Sequence, residues 1–244
     1  MNAITELTGQ TIGELVSKDY RKADVFKAYG IDFCCGGRSS VKEACLRKGI
    51  NYEELKAALL EIENTSMKAE NYDDWELDVL IDHIINKHHK YVNQSLPLLL
   101  EYATKVAHVH GEHNPENIKI AELLHELASE LQCHLYKEEQ ILFPYVKELV
   151  NCKRTNGHMK VAAFGTVKDP INMMELEHDI AGDLMKTIRL LSFNYTPPLH
   201  ACSTYMILYS KLEEFENDLH THIHLENNIL FPKADLLEKE LTEM

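Results

Sequence analysis

The sequence predicts an all-α protein, with a small N-terminal helical domain ahead of an antiparallel four-helix bundle. Three observations carry that reading. Glycine and proline are scarce, at 10 and 7 of 244 residues, and alternating β-branched runs are few. From Trp75 onward the chain divides into four long segments with helical periodicity. The breaks between them hold residues that end helices: Gly111 and Asn114-Pro115, then Asn156-Gly157 and Gly165, then Thr196-Pro197-Pro198. Four helices joined by loops pack as a bundle.

The N-terminal domain is expected over residues 1–65. A helix spans roughly Lys18–Tyr29 and stops at Gly30, a residue suited to the left-handed position after a helix. The turn-rich stretch Asp32-Phe33-Cys34-Cys35-Gly36-Gly37-Arg38 follows. Ser40 with Glu43 forms a capping box that opens the next helix, and Asn51 with Glu54 opens another. Residues 64–74 are polar and read as a linker, and the bundle domain is expected over 72–244. Its helices are predicted over Asp74–Val106, Pro115–Leu149, Ile171–Phe193 and Leu199–Leu237.

Composition removes several function classes. The chain is 45% hydrophobic and 26% charged, the balance of a soluble globular protein. Its formal charge of −14 argues against nucleic acid and against an anionic membrane surface as partners. No apolar run approaches the ~18–20 residues of a membrane span. The N-terminus lacks a basic start and an apolar stretch, so a cytoplasmic location is expected. Six irregularly spaced cysteines do not make a disulfide framework. Cys45, Cys133, Cys152 and Cys202 read as structural or incidental.

Histidine is the unusual residue, at 14 copies, and it enters an internal repeat. His134-Leu-Tyr-Lys-Glu138-Glu-Gln-Ile-Leu-Phe-Pro144 recurs in the same register as His222-Ile-His-Leu-Glu226-Asn-Asn-Ile-Leu-Phe-Pro232. Each copy has a histidine at nearly equal distance one helix earlier, His89 and His178. The bundle therefore reads as two similar helix pairs.

A helix turns about 100° per residue, so His134 and Glu138 share a face. Leu123, Leu127, Leu131, Ile141 and Glu130 fall on that face. In the fourth helix Leu208, Phe215, Leu225 and Ile229 share a face with Asp218, His222 and Glu226. His220 and His224 point the opposite way and are set aside. In the first helix Ile81, Ile85, Val92 and Leu96 form a stripe that His88 and His89 flank equally. Periodicity leaves both open, and the spacing of the repeat leans toward His89. His83 points outward. The third helix places His178 among Ile171, Met174 and Met185.

Ionisable groups on apolar faces cost several kcal/mol when buried unpaired, about 2–7 for a neutral polar group and more for a charge. Metal ions satisfy them. His89, His134, Glu138, His178, His222 and Glu226 suit two irons, each taking two histidines and sharing both glutamates. That leaves room for an oxo or hydroxo bridge. Donors of nitrogen and oxygen without sulfur also suit manganese or zinc. Glu130 and Asp218, one turn before a ligand histidine, are candidates to orient an imidazole or relay protons, and Glu175 and Glu177 are weaker ones. A single His-x3-Glu is usually a solvated helix pair, but two copies in register on apolar faces are not. The rival Glu-x-x-His pattern, at Glu122/His125 and Glu175/His178, fails because His125 lies opposite His134 on its helix. His108, His110, His113, His125, His158 and His200 read as surface or loop residues. Cys34 and Cys35 are candidate reactive thiols, with Arg38 and the following helix N-terminus favouring thiolate.

These motifs resemble the RIC (repair of iron centres) family over nearly the whole chain. Asp32-Phe33-Cys34-Cys35-Gly36-Gly37 is similar to its di-cysteine domain. Ile81-Asp-His-Ile-Ile-x-x-x-His89, Met174-Glu-Leu-Glu-His178-Asp and the two His-x3-Glu runs are similar to its hemerythrin-like domain. The first of these selects His89 over His88. The resemblance implies a hemerythrin-like fold and a non-haem di-iron centre with the same six ligands. It also implies a cytoplasmic protein that restores iron–sulfur clusters after nitric oxide or peroxide damage, with damaged iron–sulfur proteins as partners and iron as the delivered species. Two alternatives stand beside it: a di-iron enzyme that reduces nitric oxide, and a hemerythrin-type carrier or sensor of oxygen or nitric oxide. The small cysteine domain allows a homodimer. The segment Asn151–Asp169 is longer than the family's usual link.

Overall fold

The computed structural model describes residues 10–63, 71–157 and 162–243, and His158 lies outside them. The described residues form helices and turns with only two isolated β-bridges, Thr11–Ser40 and Ala162–Gly165. No described helix is long and apolar enough to cross a membrane.

The N-terminal unit holds α1 (Ile12–Lys18), α2 (Lys22–Ala28), a 3-10 turn (Cys35–Arg38), α3 (Val41–Lys48) and α4 (Tyr52–Glu63). The single helix expected over Lys18–Tyr29 is preceded by a separate one. Thr11 and Glu14 make a second capping box that opens α1. Asp19, in extended backbone and paired with Arg21 at 2.6 Å, ends it. The box at Ser40 and Glu43 is formed, with the Ser40 N–H donating to Glu43 at 3.0 Å. Gly30 takes the left-handed position after α2, at φ +64.

The bundle comprises four long helices. The first joins α5 (Leu77–His83) through a π turn (Ile84–His89) to α6 (Lys90–His110). The second joins α7 (Glu116–Lys137) through a π turn (Glu138–Leu142) to α8 (Phe143–Thr155). The third is α9 (Lys168–Leu191). The fourth joins α10 (Ser203–Leu225) through a π turn (Glu226–Leu230) to α11 (Phe231–Glu243).

Each π turn inserts an extra residue and shifts the helical phase beyond it. The reading of Ile141 as inward-facing is thereby corrected: it is 45% exposed, and Leu142 takes its place in the core. Similarly Ile84, rather than Ile85, is fully buried in the first helix.

Two apolar cores result. One gathers Val92, Leu96, Leu127, Leu131, Met185, Leu212 and Phe215 and continues into the N-terminal unit through Leu15 and Phe26. The other gathers Leu80, Ile84, Leu142, Phe143, Met174, Leu230 and Phe231. Buried polar side chains, including His89, His134, Glu138, His178, His222 and Glu226, belong to neither.

The N-terminal unit rests on the third and fourth bundle helices. Asn228 donates to the carbonyl of Cys34 at 3.0 Å. Gly13 and Gly37 both press on its side chain, where a Cβ would lie 2.2 and 2.5 Å from Asn228 Oδ1. His220 and His224 face this unit, away from His222. Phe33 meets both rings edge-on, and His224 is buried.

Candidate metal centre

The structure brings the six candidate ligands together in two overlapping groups. His89 and His222 form one with Glu138 and Glu226, and His134 and His178 form the other with the same two glutamates. Within each group the donor atoms lie within 4.8 Å of one another. His89 Nε2 is 3.3 Å from Glu138 Oε2, and His134 Nε2 is 3.4 Å from it. Glu226 Oε1 is 3.0 Å from His222 Nε2, and its Oε2 is 3.2 Å from His178 Nε2. The His134 and His178 Nε2 atoms are 3.0 Å apart.

This layer does not satisfy itself. All six side chains are buried. Neither oxygen of Glu138, nor Glu226 Oε2, nor His89 Nε2 has a hydrogen-bond partner. Carboxylates with unused lone pairs facing imidazole nitrogens at contact distance fit metal cations, which accept from both. Nitrogen and oxygen donors without thiolate exclude a preference for the softest ions.

The outer nitrogens fix most of the rings. The Nδ1–H of His89 donates to Glu139 at 2.8 Å, and that of His134 to Glu177 at 2.9 Å. His178 Nδ1 meets Asn227 Oδ1 at 2.7 Å. These bonds turn Nε2 of each ring toward the glutamates. His222 differs: its Nδ1 has no hydrogen-bond partner, and its ring stacks on His88 at 5.7 Å and 6°.

The predicted orienting residues are corrected. Glu130 is exposed, and Glu177 occupies the position by His134. Asp218 bonds His88 Nδ1 at 2.9 Å rather than His222. Counting one helical turn back chose the wrong neighbours because the outer nitrogens point across to adjacent helices. Glu139 and Asn227 went unread, yet the repeat held the signal. Each directly follows the glutamate of its copy, and each bonds the histidine from the preceding helix. His125, of the rival pattern, is exposed.

The electrostatics follow from burial and the two carboxylates. Burial opposes charge on His89, but Glu138 and Glu226 outweigh it and push its pKa up to about 10. Burial also opposes charge on His178, and Glu226 again raises it above the usual histidine value. Burial holds His222 below that value. Glu226 stays ionised: burial opposes this, but His222, His178 and His89 draw its pKa well below the carboxylate range.

Cys34 and Cys35 lie beside the third helix. Cys35 Sγ is 3.8 Å from the carbonyl oxygen of His178. The expected thiolate is corrected for Cys34. Arg38 pairs with Glu175 instead, and a hydrogen bond from the Cys34 thiol to Cys35, burial and the Asp32 charge all raise the Cys34 thiol.

A buried donor layer across a four-helix bundle is the arrangement of a cation-binding protein. Residues 80–234 match the hemerythrin HHE cation binding domain, and the chain belongs to that family. Residues 8–63 match ScdA_N, a domain of unknown function. The chain is 39% identical to a probable iron-sulfur cluster repair protein of Haemophilus influenzae, over 92% of this chain and 96% of that one. It is 38% identical to the iron-sulfur cluster repair protein YtfE of Enterobacter sp. strain 638, with the same coverage. The YtfE protein of Escherichia coli O8 is 37% identical, again over 92% and 96%.

Proposed function

We propose that the chain is a cytoplasmic non-haem di-iron protein that restores iron–sulfur clusters damaged by nitrosative or oxidative stress, by supplying iron. The observation that carries this reading is its similarity, over 92% of its length, to proteins named for iron–sulfur cluster repair. The working units are residues 1–65 and 72–244.

In this reading His89 and His222 would hold one iron and His134 and His178 the other, with Glu138 and Glu226 offering carboxylate oxygens to both. Bound iron supplies the labile ion for repair. Glu139, Glu177 and Asn227 fix three of the rings, and the packed apolar layers on both sides exclude bulk water.

Repair of an aconitase-type enzyme inactivated by nitric oxide tests the proposal. Iron-loaded protein should restore activity, and metal-free protein should not. Equal repair by both would remove iron supply from the account. The alternative, nitric oxide reduction, predicts nitrous oxide over many turnovers with an electron donor; a single turnover counts against it.

A further inference from the structure

The contact between the N-terminal unit and α9 holds a second group of metal-ligating atoms. A carboxylate oxygen of Asp32 and the sulfurs of Cys34 and Cys35 all lie within 4.8 Å of one another. Cys34 Sγ is 3.1 Å from Asp32 Oδ1. Cys34 is buried and Cys35 half-buried, with the Cys35 sulfur against the third helix. Both belong to the wall of a cavity of about 350 Å³ that Asp179, Asp183, His220 and the cations Lys27 and Arg189 also line.

The group is held in place from several directions. Asp32 Oδ1 accepts the backbone N–H groups of Cys34 and Cys35 at 2.9 and 3.1 Å, which sets the carboxylate beside both sulfurs. That turn accounts for Asp32 but not for two adjacent thiols. Asn228 grips the Cys34 carbonyl, and the ion pair of Arg38 with Glu175 fastens the end of the 3-10 turn to α9. Bonds of about 2.3 Å to sulfur and 2.0 Å to oxygen need donors some 3–4 Å apart. Cys34 Sγ and Asp32 Oδ1 have that spacing at 3.1 Å, and Cys35 Sγ lies within 4.8 Å of both donors.

We propose that Asp32, Cys34 and Cys35 form a second metal site, for one borderline-soft divalent cation such as zinc or ferrous iron, separate from the bundle centre. Two thiolates and a carboxylate select such ions over magnesium or calcium. Binding forms two metal–sulfur bonds and one metal–oxygen bond. It releases the two thiol protons to solvent and changes no oxidation state. The cavity that both cysteines line would admit a water or an incoming ligand to the bound metal. The site does not depend on what the bundle holds, because its thiolate donors give a signal that nitrogen and oxygen ligands cannot.

Cobalt(II) titration of the reduced full-length protein, its bundle first loaded with iron, is the test. A sulfur-to-cobalt charge-transfer absorption should rise in the difference spectrum and saturate at one cobalt per chain. Cys35→Ser should abolish most of it, and Asp32→Asn should weaken binding at least tenfold. No such band, saturation at one cobalt per two chains, or an undiminished band in Cys35→Ser would overturn the site. A measurement on the unaltered protein guards against misfolded variants. Zinc should slow alkylation of Cys35 by iodoacetamide at least tenfold, read by peptide mass spectrometry, and an unchanged rate overturns the proposal equally. Failure of the bundle to take iron would leave both readouts intact and would count only against the proposed function.

Discussion

The two halves of the bundle carry the same ligands but treat them differently. In both, the residue after the repeat's glutamate bonds the histidine of the preceding helix: Glu139 holds His89, and Asn227 holds His178. In both, the residue before that earlier histidine approaches the His-x3-Glu ring. Here they diverge, because Glu177 bonds His134 while His88 stacks on His222. The group around His134 and His178 therefore has two anchored rings, and the group around His89 and His222 has one. A carboxylate on Nδ1 makes an imidazole a stronger and better-aimed ligand. Related sequence copies thus build two inequivalent groups of candidate ligands.

The largest expected effect concerns what the halves share. Glu138→Ala and Glu226→Ala should each reduce metal content from two ions per chain to fewer than one, by elemental analysis after gel filtration. Two ions retained in either variant would break the idea of shared ligands. Next is Glu177→Gln, which removes the carboxylate from His134 and the ion pair with Lys137. It should lower affinity for one of the two ions by about 10–100-fold and leave the other nearly unchanged, in competition with a chelator. Equal loss of both would mean the two positions act as one.

Smaller still is the reverse experiment. His88→Glu combined with Asp218→Asn gives the first half the carboxylate that the second half has. Chelator removal should then change from two phases toward one. An unaltered two-phase course would place the inequivalence elsewhere.

The last effect concerns the face that the second half offers to the N-terminal unit. The Tyr20 hydroxyl meets Thr221 at 2.6 Å, and burial pushes its pKa up to about 12. An unfolded tyrosine ionises near 10, so the unfolded chain loses this proton first as pH rises. Stability from this group is intact below pH 10 and declines by roughly 2–3 kcal/mol between pH 10 and 12. Tyr20→Phe should flatten that part of the urea-unfolding profile, and an unchanged slope would assign it to other tyrosines.

Much of this was legible before any coordinates. The four long helices and the six converging side chains follow from two His-x3-Glu runs on apolar stripes, since 3.6-residue periodicity reports which face is inward. Periodicity could not choose between His88 and His89, and both proved to be buried with their rings against His222. The π turns explain the rest of the difficulty. An inserted residue breaks the phase on which face assignments depend, as Ile141 shows. The partners of the outer nitrogens were hidden for a different reason. They are contacts between helices, and single-helix geometry carries no information about which neighbour lies across.

The polar layer also has a mechanical meaning. It lies where Val92–Leu96 and Leu80–Ile84 would otherwise merge into one oily column, so the bundle has a charged seam across its middle. Cations bound in that seam would act as mortar between the four rods. Emptying it leaves two half-columns joined by mutually repelling or proton-dependent groups. Ions released from that seam would leave the two half-columns meeting across ionisable groups instead of through bonds.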